Sequence, residues 1–400
     1  MNPVLILVAA HICSMLGFAT FAALLPELRD TWALSNAQAG IVGGMFFAGY
    51  VAAVSSWTAL TDWGDARKVY GAASLVAAAG SAGFASLARG FASASFFQAL
   101  LGAGIAGTYM PGLRLLSDRV FGPRQSRAIA FYTSSFGIGT ALSLALAGAV
   151  AARSGWKAAF LVAGAGPLVA AALVLVFISP LRGAPSAPRA GLLPFASWAR
   201  ILRQRESAGY IAGYAVHCLE LFGSRSWMVA FLTFASGVQA AGRGFPWSAQ
   251  SIAAIVNLLS VPASIAGNEA ALRVGRRRWI LLAMTASGAT GIVLGSSAPW
   301  HWAVVVLVLV AYSMLVMADS ATLTAGLVAA APPELRGSAM GLYSLAGFGG
   351  GMVGPVVFGA ALDVAGGACS PIAWIAGYAA IGSGCLAAPA AVRFFAPRGR

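Results

Sequence analysis

Three ionisable residues, His217, Glu220 and Arg225, interrupt the otherwise apolar stretch from Tyr210 to Phe234, YIAGYAVHCLELFGSRSWMVAFLTF. His217 and Glu220 are three apart and share a helix face, a spacing at which a carboxylate can hold an imidazole protonated or exchange a proton with it. Arg225 keeps its charge and presents a planar fork suited to a carboxylate or another oxyanion. In a regular helix it lies about 140° round from Glu220, so the two do not face the same point unless Gly223 lets the helix deform. A second acid, Asp319, sits in LVMADSATLTAG with Ser320, Thr322 and Thr324 close by in sequence. Desolvation makes a carboxylate easier to protonate, so these residue types suit proton transfer and anion binding. Nothing in the sequence suits bond-making chemistry: no metal-ligand cluster, nucleophile triad or phosphate-binding loop is present. The expectation is therefore no enzyme, no cofactor and no metal. Cys13, Cys218, Cys369 and Cys385 read as small packing residues.

The stretch that holds these groups has the length of a bilayer crossing, about 20 residues. An ionisable group at bilayer depth costs roughly 2.5–3.5 kcal/mol even on the mildest scale, so such groups face a bundle interior or a water-filled cavity. The alternative is that Glu220 and Arg225 only neutralise groups on neighbouring helices. The whole composition supports a membrane setting. Apolar residues make up 59% of the chain and charged residues 9%, with a mean hydropathy of +0.82; a soluble domain carries about 25% charged residues. Long uniform apolar runs exclude a β-barrel, whose strands alternate.

Twelve crossings are expected, over residues 4–25, 38–60, 70–88, 91–113, 128–151, 157–178, 208–235, 248–271, 279–297, 302–329, 338–361 and 372–392. The run from Val4 lacks the basic n-region of a secretory signal and is taken as the first of them. An even number places both termini on one side. The loops on that side hold 19 Lys and Arg against 5 on the other. Positive residues stay in the cytoplasm, so both termini are expected there. The net charge of +14 is thus a topology signal and not a nucleic-acid footprint. Residues 180–206, with prolines at 180, 185, 188 and 194 and five arginines, read as a cytoplasmic linker with an amphipathic segment around Leu192–Leu202. It separates an N-terminal bundle, 1–179, from a C-terminal bundle, 207–400. The halves repeat: FGPRQSRAIAFYTSSFGIG resembles AAPPELRGSAMGLYSLAGFGGG, and DWGDARKVY aligns with LRVGRRRWI at an offset of 210. Two diverged copies of a six-helix unit are expected.

These features resemble the major facilitator superfamily of secondary transporters over essentially the whole chain. The family's loop pattern Gly-x-Leu-x-Asp-Arg-x-Gly-Arg-Arg is met by Leu60, Asp62, Arg67 and Lys68, with Thr58, Trp63 and Asp65 departing from it. The second copy keeps Arg273, Gly275, Arg276 and Arg277 but has Leu272 where the acid belongs; Glu269 is a possible substitute. Such loops imply a conformational latch of Asp62, Arg67, Lys68, Glu269, Arg273 and Arg276, the alternative being that the basic residues only fix topology. Gln98 stands where many members have an Arg linked to proton coupling, and the fifth helix lacks the Pro of the antiporter pattern.

The resemblance implies an all-α twelve-helix fold whose first, fourth, seventh and tenth helices line the path. This chain's rare membrane polar groups fall on them: His11; Gln98, Tyr109 and Arg114; His217, Glu220 and Arg225; Asp319. Expected substrate contacts are His11, Gln98, Tyr109, Arg225, Asn257 and Tyr343, and expected proton carriers are His217, Glu220 and Asp319. His11 and the aromatics have packing as their alternative role, and Arg114 is expected to snorkel to the surface. The implied function is alternating-access transport of a small organic anion with protons in a bacterial inner membrane. The alternative is proton-coupled efflux of drugs or amphipathic metabolites. Expected partners are the small-molecule substrate, protons and membrane lipids, with the chain acting as a monomer.

Overall fold

The computed structural model describes residues 2–180, 195–239 and 244–395. Every regular element among them is helical. Helices α1 (Pro3–Ser14), α2 (Thr20–Thr31), α3 (Asn36–Trp63), α4 (Ala66–Leu87), α5 (Phe91–Ser117) and α6 (Pro123–Phe177) precede the central segment. After it come α7 (Phe195–Arg203), α8 (Arg205–Val238), α9 (Ala249–Val274), α10 (Arg276–Ser296), α11 (Trp302–Met317), α12 (Ser320–Ala330), α13 (Arg336–Val364) and α14 (Pro371–Phe395). Ten stretches are long and apolar enough to cross a membrane. One of them, Arg127–Phe177, holds two crossings, and α8, which carries the ionisable residues, supplies another, so the expected twelve are present. The chain is a multi-pass membrane protein.

Three departures from the expected spans have local causes. The crossings expected at 128–151 and 157–178 run on without a loop, turning at Gly155, whose φ of 77° suits a residue without Cβ. The first crossing is broken by a 3₁₀ turn at Met15–Gly17, where Ser143 on α6 accepts from the Ala19 amide (3.0 Å) and donates to the Leu16 carbonyl (2.6 Å). The tenth crossing, expected as one helix over 302–329, stops at Met317 and restarts at Ser320. There the Trp279 indole donates to the Ala318 carbonyl at 2.9 Å. From α9, Gly267 lies so close that a Cβ would collide with that carbonyl.

The chain divides into two compact units, Met1–Trp32 with Met45–Leu193, and Ala33–Gly44 with Pro194–Arg400. In the first, α4 packs on α5 and α6, and α1 lies along α6. In the second, α8 packs on α13, α10 on α14 and α9 on α11. The first turn of α3 groups with this second unit because Asp363, near the end of α13, caps it. One carboxylate oxygen accepts from the Asn36 amide (3.0 Å) and side chain (2.7 Å), the other from the Ala37 amide (2.8 Å). Of the expected linker, 181–194 lies outside the described residues, including the first part of its amphipathic segment. The rest is α7, which buries Ile201 fully and exposes Phe195 and Leu202.

Candidate functional site

In the C-terminal unit the ionisable residues of α8 separate into three environments. His217, 2% exposed, brings Nδ1 to 2.7 Å from Oδ1 of Asp319 at the break between α11 and α12. The approach is that of an ion pair and not of an aligned hydrogen bond, and His217 Nε2 has no hydrogen-bond partner among the described residues. Tyr214, one turn earlier on α8, stacks on the imidazole (5.6 Å, 12°) and also against Tyr343 of α13 (3.7 Å, 7°). The Tyr343 hydroxyl in turn shares a 2.9 Å hydrogen bond with Thr324 of α12. A carboxylate presented at a helix break beside a stacked imidazole can take up and release a proton without leaving its place.

Glu220 is elsewhere. The expectation that it partners His217 rested on their shared face, but its carboxylate turns away toward α10, α11 and α14. Ser287 donates to Oε2 at 2.7 Å, Cys385 approaches the same oxygen at 3.1 Å, and Tyr312 donates to Oε1 at 3.3 Å. The carboxylate beside His217 is therefore Asp319, contributed by a different helix. Three neutral donors make the Glu220 pocket a fixed hydrogen-bonded seat.

Arg225 is partly buried on α8, and among the described residues no carboxylate lies within ion-pair distance of it. Its guanidinium meets the Met317 sulfur at 3.7 Å, just before the same helix break. Arg225 and His217 thus both approach the α11–α12 junction, whereas Arg225 and Glu220 meet different partners, in keeping with the angle between them along α8. Asn257, on α9, is buried against α8. Its amide donates to the Ala253 carbonyl at 2.8 Å, and its Oδ1 has no hydrogen-bond partner among the described residues.

In the N-terminal unit, His11 is fully buried with Nδ1 2.7 Å from the Ser135 hydroxyl, and it forms a triangle of rings with Tyr109 (5.3 Å) and Tyr132 (4.8 Å), which lie 5.8 Å from each other. Gln98 is buried on α5, the helix that also carries Tyr109.

The loop residues divide unevenly. Asp62 pairs with Arg114 of α5, which also donates to Thr61 at 3.0 Å and lies 3.8 Å from Asp118, so the Arg114 side chain reaches toward the ends of α3 and α5 and is partly exposed there. Arg67 binds Asp65 at 2.5 Å and donates to the Ile178 carbonyl at 2.8 Å, while Lys68 is exposed. The Arg67 hydrogen bond holds the Asp65 carboxyl below its ordinary range. In the matching loop of the second half, Glu269 and Arg273 are exposed and Arg276 is partly so; no ion pair joins them among the described residues.

Sequence reasoning missed several participants. Tyr214 carried a usable signal, an aromatic three residues before His217 on one face. Ser287, Tyr312 and Cys385 are single residues on three distant helices and carried none. Asp65 stood where the loop pattern expects Gly and read as a loss.

A family description, the Major Facilitator Superfamily, matches residues 7–355. A probable 4-methylmuconolactone transporter of Cupriavidus pinatubonensis is 29% identical over 147 residues, which cover 35% of this chain and 33% of that protein. Two solved structures are similar along their length. A bacterial homologue of the human lysosomal transporter Spinster has a TM-score of 0.77 at 16% identity, covering 98% of this chain and 95% of that one. The nucleoside transporter NupG has a TM-score of 0.77 at 15% identity, covering 99% and 100%. At these identities the likeness of the two structures is one of fold.

Proposed function

The chain belongs to the Major Facilitator Superfamily and is a secondary transporter, and we propose that its cargo is a small organic anion of carboxylate type, moved with protons by alternating access. The observation that carries this reading is Arg225. A guanidinium partly buried in a membrane-crossing helix needs a counter-charge, and no carboxylate of the described chain supplies one. A substrate carboxylate fits its fork. Asp319 with His217 is the proton-carrying pair, since the carboxylate sits at a helix break where protonation and backbone geometry can be linked. Glu220 is buried in this half too, and its three donors support a role in holding α8 against α10, α11 and α14. The 4-methylmuconolactone of the relative's name supports a small organic solute as cargo. The excess of basic residues on one set of loops supports cytoplasmic termini.

The test is thermal stability of the detergent-purified protein against small carboxylates, 4-methylmuconolactone and lipophilic cations. A ligand present at about 100 times its Kd adds ~2.7 kcal/mol to the folded state. Carboxylates should raise Tm in wild type and leave Arg225→Ala unmoved. Stabilisation by lipophilic cations alone, retained in Arg225→Ala, would replace the anion reading with efflux of cationic amphiphiles.

A further inference from the structure

We propose that the C-terminal unit carries a selective site for one anionic phospholipid, separate from the substrate and proton residues. Its basis is a cavity of about 220 Å3 between α8, α10, α12 and α14. The wall is apolar, built from Gly213 and Val216 of α8, Ile280, Leu281 and Met284 of α10, and Leu323 of α12. Neither His217, Glu220, Arg225 nor Asp319 lines it. Polar side chains gather where α8 and α10 begin: Glu206, Tyr210 and Arg277. Beside them Arg276 approaches the Tyr210 hydroxyl, and Arg278 completes the first turn of α10.

The amphipathic helix α7 strengthens the cationic rim. Its Ile201 is buried in the same core cluster as Ile280, Met284 and Leu323, which fixes the helix beside the cavity. Arg200 and Arg203 lie in its last turn, and Arg205 and Glu206 follow directly at the start of α8. Glu206 is the acid among the residues that line the cavity; Glu269 of α9 and Glu334 before α13 lie at the same end, where Arg200, Arg203, Arg205, Arg276, Arg277 and Arg278 outnumber them.

An apolar slot beneath a cationic rim selects an occupant that is long and apolar at one end and anionic at the other. A soluble anion has no use for the slot, and a neutral lipid gains nothing from the arginines. In a bilayer the matching molecule is an acidic phospholipid, with part of an acyl chain in the cavity and its phosphate at Arg277.

Native mass spectrometry of the full-length protein in mild detergent tests this with dioleoylphosphatidylglycerol and dioleoylphosphatidylcholine at equal concentration. One phosphatidylglycerol per chain should be retained, with about a fivefold preference, the weight of one arginine beside an anionic headgroup. Arg277 is exposed, so Arg277→Ala leaves the fold intact and should bring the preference near parity. Ala212→Phe, which places a ring in the cavity, should cut retention of phosphatidylglycerol while Arg277 remains in place. Equal retention of the two lipids by wild type, or an unchanged preference in Arg277→Ala, would overturn the proposal. So would displacement of phosphatidylglycerol by inorganic phosphate, which marks a headgroup site without a chain slot.

Discussion

Each half of the chain buries a histidine on its first crossing helix among tyrosines, and the two sites differ in the atom that meets Nδ1. In the N-terminal half that atom is the Ser135 hydroxyl, with Tyr109 and Tyr132 around the ring. In the C-terminal half it is the Asp319 carboxylate, with Tyr214 and Tyr343 stacked beside it. Ser135 spends its one proton on the Tyr132 carbonyl at 2.5 Å, which assigns Nδ1 of His11 as the donor in their contact. A hydroxyl partner thereby fixes a tautomer and nothing more. A carboxylate partner leaves the proton two places to sit, so the same arrangement of ring and tyrosines becomes able to change charge. The halves share a plan and divide the labour.

The largest effect expected from breaking this comparison is at Asp319. Asp319→Asn keeps the shape but removes the charge, and proton-driven uptake into proteoliposomes should fall about tenfold or more, a loss of ~1.4 kcal/mol or greater at the rate-limiting step. Glu220→Gln in the same assay should retain coupling, because the three donors around Glu220 hold a seat and do not carry a shuttle. Equal losses in the two variants would erase the distinction drawn between the acids. Next in size is Ser135→Ala, which strands Nδ1 of a fully buried histidine and should cost about 1–3 kcal/mol of stability. That loss should appear as a lower Tm with proton coupling intact; a change in coupling would mean that the N-terminal histidine also handles protons.

The smallest effect lies in the loops that precede the third helix of each half. Arg67 holds the Asp65 carboxyl below its usual range, whereas the second loop has no ion pair among the described residues. A carboxyl with a depressed folded value contributes stability at neutral pH and loses it as the pH falls through that value. The Tm advantage of wild type over Asp65→Asn should therefore be present at pH 7, begin to fall near about pH 4, where a free carboxyl protonates, and be gone below the depressed folded value. The pair is partly buried but still meets solvent, with side chains 14% and 26% exposed, and the advantage should stay at about 1 kcal/mol. An advantage that persists in acid would show that the charge of Asp65 is not its source, since Asn can cap the start of α4 as Asp65 does.

Composition and apolar runs made the twelve-helix plan readable, because the bilayer demands about 20 apolar residues wherever the chain crosses. The residues of the candidate site stand out in the sequence for a related reason: His217, Glu220, Arg225 and Asp319 are expensive in a membrane, and few such residues occur. Their pairing was not readable. Spacing along one helix put Glu220 with His217, while the true neighbour comes from another helix whose path is broken at Ala318. The sequence LVMADSATL has neither Gly nor Pro to announce that break. Asp363 was equally hidden, since its ligands at Asn36 and Ala37 are more than 300 residues away.

The break itself has a mechanical meaning. Ala318 (φ −69°, ψ −20°) and Asp319 (φ −97°, ψ −16°) both stay near helical geometry, so little backbone rotation separates the bent segment from a straight rod. At that point the Trp279 indole of α10 takes the Ala318 carbonyl, and Gly267 of α9 lies against the same oxygen. The break is thus tied to two neighbouring helices: a movement of α10 that released the carbonyl would let α11 and α12 join with little change of backbone, and would carry Asp319 with them.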